Sequence, residues 1–127
     1  MTRARALEGR AKARRIAEAA REKLAEEIVA LDVRRAVSFA DVFIVATGRS
    51  DRHVRAIGDG IAEALAQAGE KPLSVEGQEE ARWLLMDFGD VIVHIFQPDV
   101  RLHYDLERLW SEAAPLDVSA RAARKSV

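Results

Sequence analysis

Arg82-Trp83-Leu84-Leu85-Met86-Asp87-Phe88-Gly89-Asp90-Val91-Ile92-Val93-His94-Ile95-Phe96 is the stretch that decides the fold of this chain. Two runs of bulky apolar residues meet at Gly89-Asp90, a tight-turn dipeptide, which predicts a β-hairpin with strands over 82–88 and 91–97. Alternation along the first strand sends Trp83, Leu85 and Asp87 to one face and Leu84, Met86 and Phe88 to the other. Both faces are largely apolar, so either helices cover both or one is left for a partner, and the pattern alone leaves that open. In the second case Trp83, Leu84, Leu85 and Met86, rimmed by Glu79, Glu80, Asp87 and Asp90, make a greasy patch edged with carboxylates, suited to a basic protein.

Downstream, Pro98-Asp99 opens a last helix, with proline at a first helical position and an acid at the positive end of the dipole. Val100, Tyr104, Leu106 and Trp110 are its larger apolar residues, and Pro115 is expected to end it. Upstream, Lys71-Pro72 breaks the chain before a short strand over 73–76 and a turn at Gly77. Val42-Phe43-Ile44-Val45-Ala46 reads as a strand buried on both faces. Ser50 then caps a helix whose inner stripe is Val54, Ile57, Ile61 and Leu65, stopped at Gly69. Gly58 and Gly60 inside it each cost about 1 kcal/mol against alanine, which implies a close approach by another element or a kink.

Near the start, Ile16, Ala20, Leu24, Ile28 and Leu31 recur every three or four residues and predict a first helix through that span. Leu31-Asp32-Val33-Arg34 then alternates as a strand would. The order is helix, two strands, helix, three strands, helix: an α/β (α+β) chain with a mixed β-sheet of about five strands flanked by helices.

With 127 residues, 49% hydrophobic and 32% charged, the chain fits one domain. It has no cysteine, which excludes disulfides and thiolate metal sites. Its apolar runs are far shorter than the roughly 20 residues of a membrane span, so a soluble chain with no membrane role is expected. The net charge of −1 hides a division: residues 1–15 carry +5, residues 118–127 carry +3, and residues 16–117 carry −9. We therefore read 1–15 as a basic N-terminal arm, 16–117 as a single domain and 118–127 as a basic C-terminal tail. An acidic body repels phosphate backbones and favours a basic protein partner. The basic ends are either solubilising tails or arms able to make peripheral RNA contact beside a docked body. Glu8, Glu18 and Glu22 count against an arginine-rich targeting peptide, and a cytoplasmic location is expected.

Chemistry finds little support in the spacings. Thr47-Gly48-Arg49-Ser50 could seat a phosphate at a helix start, but one glycine falls short of the phosphate-loop patterns and a plain cap explains it. Nucleotidyltransferases pair such a turn with two carboxylates at alternate strand positions; here Asp90 is followed by Ile92 and His94, and Asp87 by Gly89, so the metal-holding pair is missing. His53, His94 and His103 have no metal-ligand spacing and no serine or cysteine nucleophile partnered with them, and read as structural.

One resemblance spans these features. Leu31-Asp32-Val33, Phe39-Ala40-Asp41, Ala46-Thr47-Gly48-Arg49-Ser50-Asp51-Arg52-His53-Val54, Val75-Glu76-Gly77, Trp83 through Phe96, and Tyr104-Asp105-Leu106-Glu107-Arg108-Leu109-Trp110 resemble, in collinear order over residues 16–112, the ribosomal silencing factor family, RsfS or Iojap. The resemblance implies a nucleotidyltransferase-like fold without catalytic residues, and neither metal nor cofactor. It implies binding to the large ribosomal subunit through its fourteenth protein, blocking association with the small subunit and repressing translation when nutrients are scarce, with a homodimer when free. Organellar relatives assist ribosome assembly. The motif falls on Glu79, Trp83, Leu84, Leu85, Met86, Asp87 and Asp90, with Tyr104 joining if the last helix packs beside the hairpin; these are the expected partner-binding residues.

Overall fold

The computed structural model describes residues 9–104 and 113–119. The elements are α1 (Gly9–Glu22), β1 (Glu26–Asp32), β2 (Val42–Thr47), α2 (Asp51–Gln67), β3 (Ser74–Glu76), β4 (Trp83–Asp87), β5 (Val91–Phe96), α3 (Pro98–Tyr104) and β6 (Ala114–Leu116). The strands form one six-stranded mixed sheet in the order β3-β4-β5-β2-β1-β6. Its central pair, β2 and β5, is parallel, with Phe43 beside Ile92 and Val45 beside His94, and the other pairs are antiparallel.

The hairpin forms as its sequence predicts, with Trp83 opposite Phe96 and Leu85 opposite His94. β2 is buried along its whole length. Helix α2 begins where Ser50 Oγ accepts from the His53 amide and buries Val54, Ile57, Ile61 and Leu65 completely; full burial of each such side chain is worth about 1.5–3 kcal/mol. These residues, with Ile16, Ala17 and Ala20 of α1, pack on Ile44, Leu84, Met86, Val93 and Ile95. Gly58 is what permits the approach of α2 to β4, since a Cβ there would stand 2.5 Å from Leu84 Cδ2. The close-approach reading of that glycine holds.

The first helix differs from expectation. It ends at Glu22, and Ile28 and Leu31, assigned to its stripe, belong to β1. Leu24 turns the chain in the left-handed region at φ 63°, while Ala25 N–H donates to Ala20 O at 3.0 Å and Leu24 N–H to Arg21 O at 2.9 Å. This is a Schellman stop made without the usual glycine. At its other end α1 starts at Gly9, inside the stretch read as a basic arm, and Lys12 and Ala13 are already buried.

Two further departures concern the chain end. Pro115 does not simply end a helix: it lies in β6, where it sits beside Leu31 of β1 at the edge of the sheet, a place that tolerates a missing N–H. Val118, in the stretch read as tail, packs in the main core. Leu106 and Trp110 lie outside the described residues.

Candidate partner-binding face

The sheet has two apolar faces, and they are covered differently. α1 and α2 close the face that carries Leu84, Met86 and Phe88. The opposite face is built of three rows across the central strands, Trp83-Phe96-Thr47, Leu85-His94-Val45 and Asp87-Ile92-Phe43. Val100 of α3 packs on Val45 and Phe96, with Trp83 at the margin. At the other end Leu31, Val33, Ala40, Phe43 and Ile92 cluster, with Leu85 against them.

This division sorts the expected contact residues. Trp83, Leu85 and Asp87 share the second face and are half-buried. Leu84 and Met86 are 3% and 2% exposed beneath the helices, so the sequence expectation that they contribute to a contact surface is corrected: a strand covered by α2 sends every second residue inward. Asp90 is part-exposed and is paired with the helix side. Its Oδ1 stands 2.7 Å from Lys12 Nζ, which also meets Glu70 Oε1 at 2.9 Å and donates to Phe88 O at 3.4 Å. Burial alone would lower the Lys12 pKa; the hydrogen bonds and charges of Asp90 and Glu70 outweigh it and hold it above the ordinary value. Asp87 Oδ1 accepts from Gly89 N–H at 2.8 Å, closing the turn. Tyr104 is the last residue of α3, and its side chain lies outside the described residues.

Glu79 and Glu80 sit on the loop between β3 and β4, and that loop is fixed by its backbone. Arg55 of α2 donates through Nε to Gln78 O at 2.9 Å and through Nη2 to Glu79 O. Gln97 Nε2 donates to Ala81 O at 3.1 Å. The two carboxylate side chains remain exposed. Beside Trp83 the loop and α3 enclose an open cleft of about 510 Å³ lined by Gly77, Glu80, Arg82, Asp99, Val100 and His103. Arg82 Nη2 and Asp99 Oδ2 form its lip at 3.0 Å. At the far end of the same face Phe39 is exposed, its ring 6.3 Å from that of Phe43.

Within the face lies a residue the sequence reading passed over as structural. His94 is 5% exposed, its ring 4.8 Å from Phe43 and 6.2 Å from Phe96, the latter stacked. Its Nδ1 accepts from Trp83 Nε1–H at 3.2 Å, so the proton of the neutral ring is on Nε2, which has no hydrogen-bond partner among the described residues. Burial pushes its pKa down to about 4. Arg101 of α3 is likewise buried, donating to Glu27 O at 2.6 Å and Thr47 Oγ1 at 2.9 Å; it clamps α3 to the bulge in β1 where Glu27 has φ 50°. Neither role shows in sequence, because the partners are distant in the chain.

The strand-to-helix junction offers no open phosphate cradle. Arg49 N–H donates to His53 Nδ1 at 2.9 Å, His53 N–H to Ser50 Oγ at 3.1 Å and Arg52 N–H to Asp51 Oδ1 at 2.7 Å. His53 Nε2 lies 2.8 Å from Lys23 O and donates to it. The helix start is satisfied by its own side chains, as the plain-cap reading expects. Among the described residues no cluster of three or more His, Cys, Asp or Glu could hold a metal, and no helix is long and apolar enough to cross a membrane.

Comparison with known proteins converges on one family. The family model described as "Ribosomal silencing factor during starvation" matches residues 6–127. The chain is 42% identical over 97 residues to the ribosomal silencing factor RsfS of Bacillus subtilis, covering 76% of this chain and 82% of that one. It is 37% identical over 106 residues to a chloroplastic Iojap protein of Zea mays, covering 81% of this chain and 45% of that one. A mouse protein named for mitochondrial assembly of the ribosomal large subunit is 27% identical over 110 residues, 84% of this chain and 48% of that one. A crystal structure of a Chromobacterium violaceum protein superposes with a TM-score of 0.80 at 36% identity, covering 83% of this chain and 88% of that one.

Proposed function

The chain belongs to the ribosomal silencing factor family, and from that premise we propose that it is a non-catalytic protein that docks on the large ribosomal subunit through the fourteenth large-subunit protein. It occupies the surface the small subunit would use and lowers translation under nutrient limitation. The observation that carries this reading is the grouping of Trp83, Leu85 and Asp87 on the sheet face opposite α1 and α2, next to the exposed carboxylates of the Glu79-Glu80 loop. An aromatic anchor with aliphatic neighbours and an acidic rim suits a basic protein surface. The −9 charge of residues 16–117 discourages competing attachment to rRNA phosphates. Silencing then needs only volume: a bound protein of 14.1 kDa stands where the other subunit must sit. We place Tyr104 in the same contact, and we propose a cytoplasmic location and a homodimer in the free state. The basic ends make peripheral rRNA contact at most.

Sedimentation tests the reading. The protein should comigrate with free large subunits and not with joined ribosomes, and Asp87→Arg should weaken comigration. Failure to bind purified large subunits or their fourteenth protein overturns it. A second reading, large-subunit assembly, draws on the name of the mouse relative; it predicts accumulation of immature large subunits in cells lacking the protein, with joining of mature subunits unaffected. An enzyme of nucleotidyl transfer is the least supported alternative, and specific turnover of nucleotide with magnesium, lost in Asp90→Ala, would establish it.

A further inference from the structure

We infer that His94 is the positioning residue of the partner-binding face, holding the Trp83 indole in its docking orientation through the bond from Trp83 Nε1–H to His94 Nδ1. The inference rests on the reading of Trp83 as a contact residue. The two residues lie on adjacent strands, with Trp83 opposite Phe96, two residues beyond His94 on the same face. The indole therefore leans diagonally across the hairpin to make the 3.2 Å bond while its ring rests 4.8 Å from that of Phe96. Stacking on a neighbouring ring tolerates sliding and flipping about the χ angles, whereas a directed bond to the nitrogen selects one rotamer.

The alternative to a positioning role is packing, and the chemistry of the site argues against it. A phenylalanine would fill nearly the same volume among Phe43, Phe96 and Trp83. Histidine adds a buried Nε2–H without an acceptor among the described residues, which is unfavourable. What it supplies in return is the acceptor at Nδ1, and the group using that acceptor is Trp83. An indole held before the partner arrives loses less rotamer freedom on docking, which raises affinity without any direct contact from the histidine.

The test separates the acceptor from the packing. In His94→Asn the amide oxygen takes the position of Nδ1 and keeps an acceptor while losing ring volume; in His94→Phe the ring is kept and the acceptor lost. We expect His94→Phe to melt within a few degrees of the wild type, the lost Trp83 bond being offset by removal of the unpaired Nε2–H, yet to bind large subunits about fivefold to tenfold more weakly, the size of ordering one released indole on docking. We expect His94→Asn to melt lower and to retain affinity within about twofold, since the bond is kept. In the free protein the Trp83 indole N–H resonance should lose its downfield shift and exchange protection in His94→Phe and keep them in His94→Asn. Affinities that follow melting temperature, or an indole signal unchanged in His94→Phe, overturn the inference. If the wild-type protein ignores large subunits, the docking reading fails, while the indole signal still decides whether His94 orients Trp83.

Discussion

Lys12 of α1 and Asp90 of the hairpin turn stand 2.7 Å apart although 78 positions separate them in the chain. With Glu70 at 2.9 Å, the buried ammonium ties the first helix, the end of the second and the β4–β5 turn to one point. Asp90 therefore holds the hairpin to the body from the helix side.

Replacing Lys12 by alanine should accordingly destabilise the protein by about 3 kcal/mol, the low end for breaking a buried pair, because Glu70 and Asp90 are 15% and 30% exposed and can rehydrate. Asp90→Asn should lose stability in urea denaturation and leave the affinity of the folded protein for large subunits unchanged. A loss of affinity without a loss of stability would return Asp90 to the contact surface.

Leu84 and Leu85 are neighbours with opposite fates. Leu84→Ala removes a side chain that is 3% exposed in the main core and should cost about 2–5 kcal/mol of stability, while binding measured on the folded fraction stays intact. Trp83→Ala should reduce large-subunit affinity at least about tenfold, as a hot-spot aromatic does. Comparing midpoints of unfolding with pelleting by large subunits distinguishes the two classes.

Gly58→Ala should destabilise by about 1–3 kcal/mol through overpacking, although alanine in an open helix would be favourable by about 1 kcal/mol. The clash is with Leu84 Cδ2, so Leu84→Ala should relieve it. The double variant is expected to be more stable than the sum of the single losses, a coupling visible in a denaturation cycle.

Burial holds the His94 pKa near 4 in the folded protein against an ordinary 6.5. The unfolded chain binds the extra proton first, so this neutral histidine contributes stability that is present above pH 6.5 and lost progressively as pH falls toward 4. The loss approaches about 3 kcal/mol. Urea unfolding of the wild type should weaken between pH 7 and 5, and His94→Phe should flatten that dependence.

Removing residues 1–8 should leave the fold intact and reduce only the salt-sensitive part of ribosome affinity. Removing residues 1–15 should unfold or loosen the protein, since it deletes Lys12 and Ala13 from the core. Circular dichroism of the two deletions, taken before any binding assay, separates a lost arm from a lost helix.

Local pattern was enough for the parts of this protein whose stabilising contacts are close in sequence. The alternation of β4, the apolar run of β2, the Ser50 cap and the stripe of α2 were legible because a strand or a helix writes its own period into neighbouring residues. The boundary at Leu24 was not, because the left-handed turn there uses leucine where a glycine would have announced it, and the stripe ran on through Ile28 and Leu31 as if unbroken. β6 was hidden by Pro115, which is acceptable only at the sheet edge that β1 provides.

The apolar composition of the hairpin follows from the sequence; which of its two faces the helices cover was decided by tertiary structure alone. Alternation assigns Trp83 and Leu85 to one side and Leu84 and Met86 to the other, but both sides are apolar, and the choice was made when α2 brought Gly58 against Leu84. Lys12 meeting Asp90, Arg101 meeting Glu27 and His94 meeting Trp83 are likewise products of assembly. A period along one segment records which residues share a face, whereas the identity of what lies on that face depends on where distant segments come to rest.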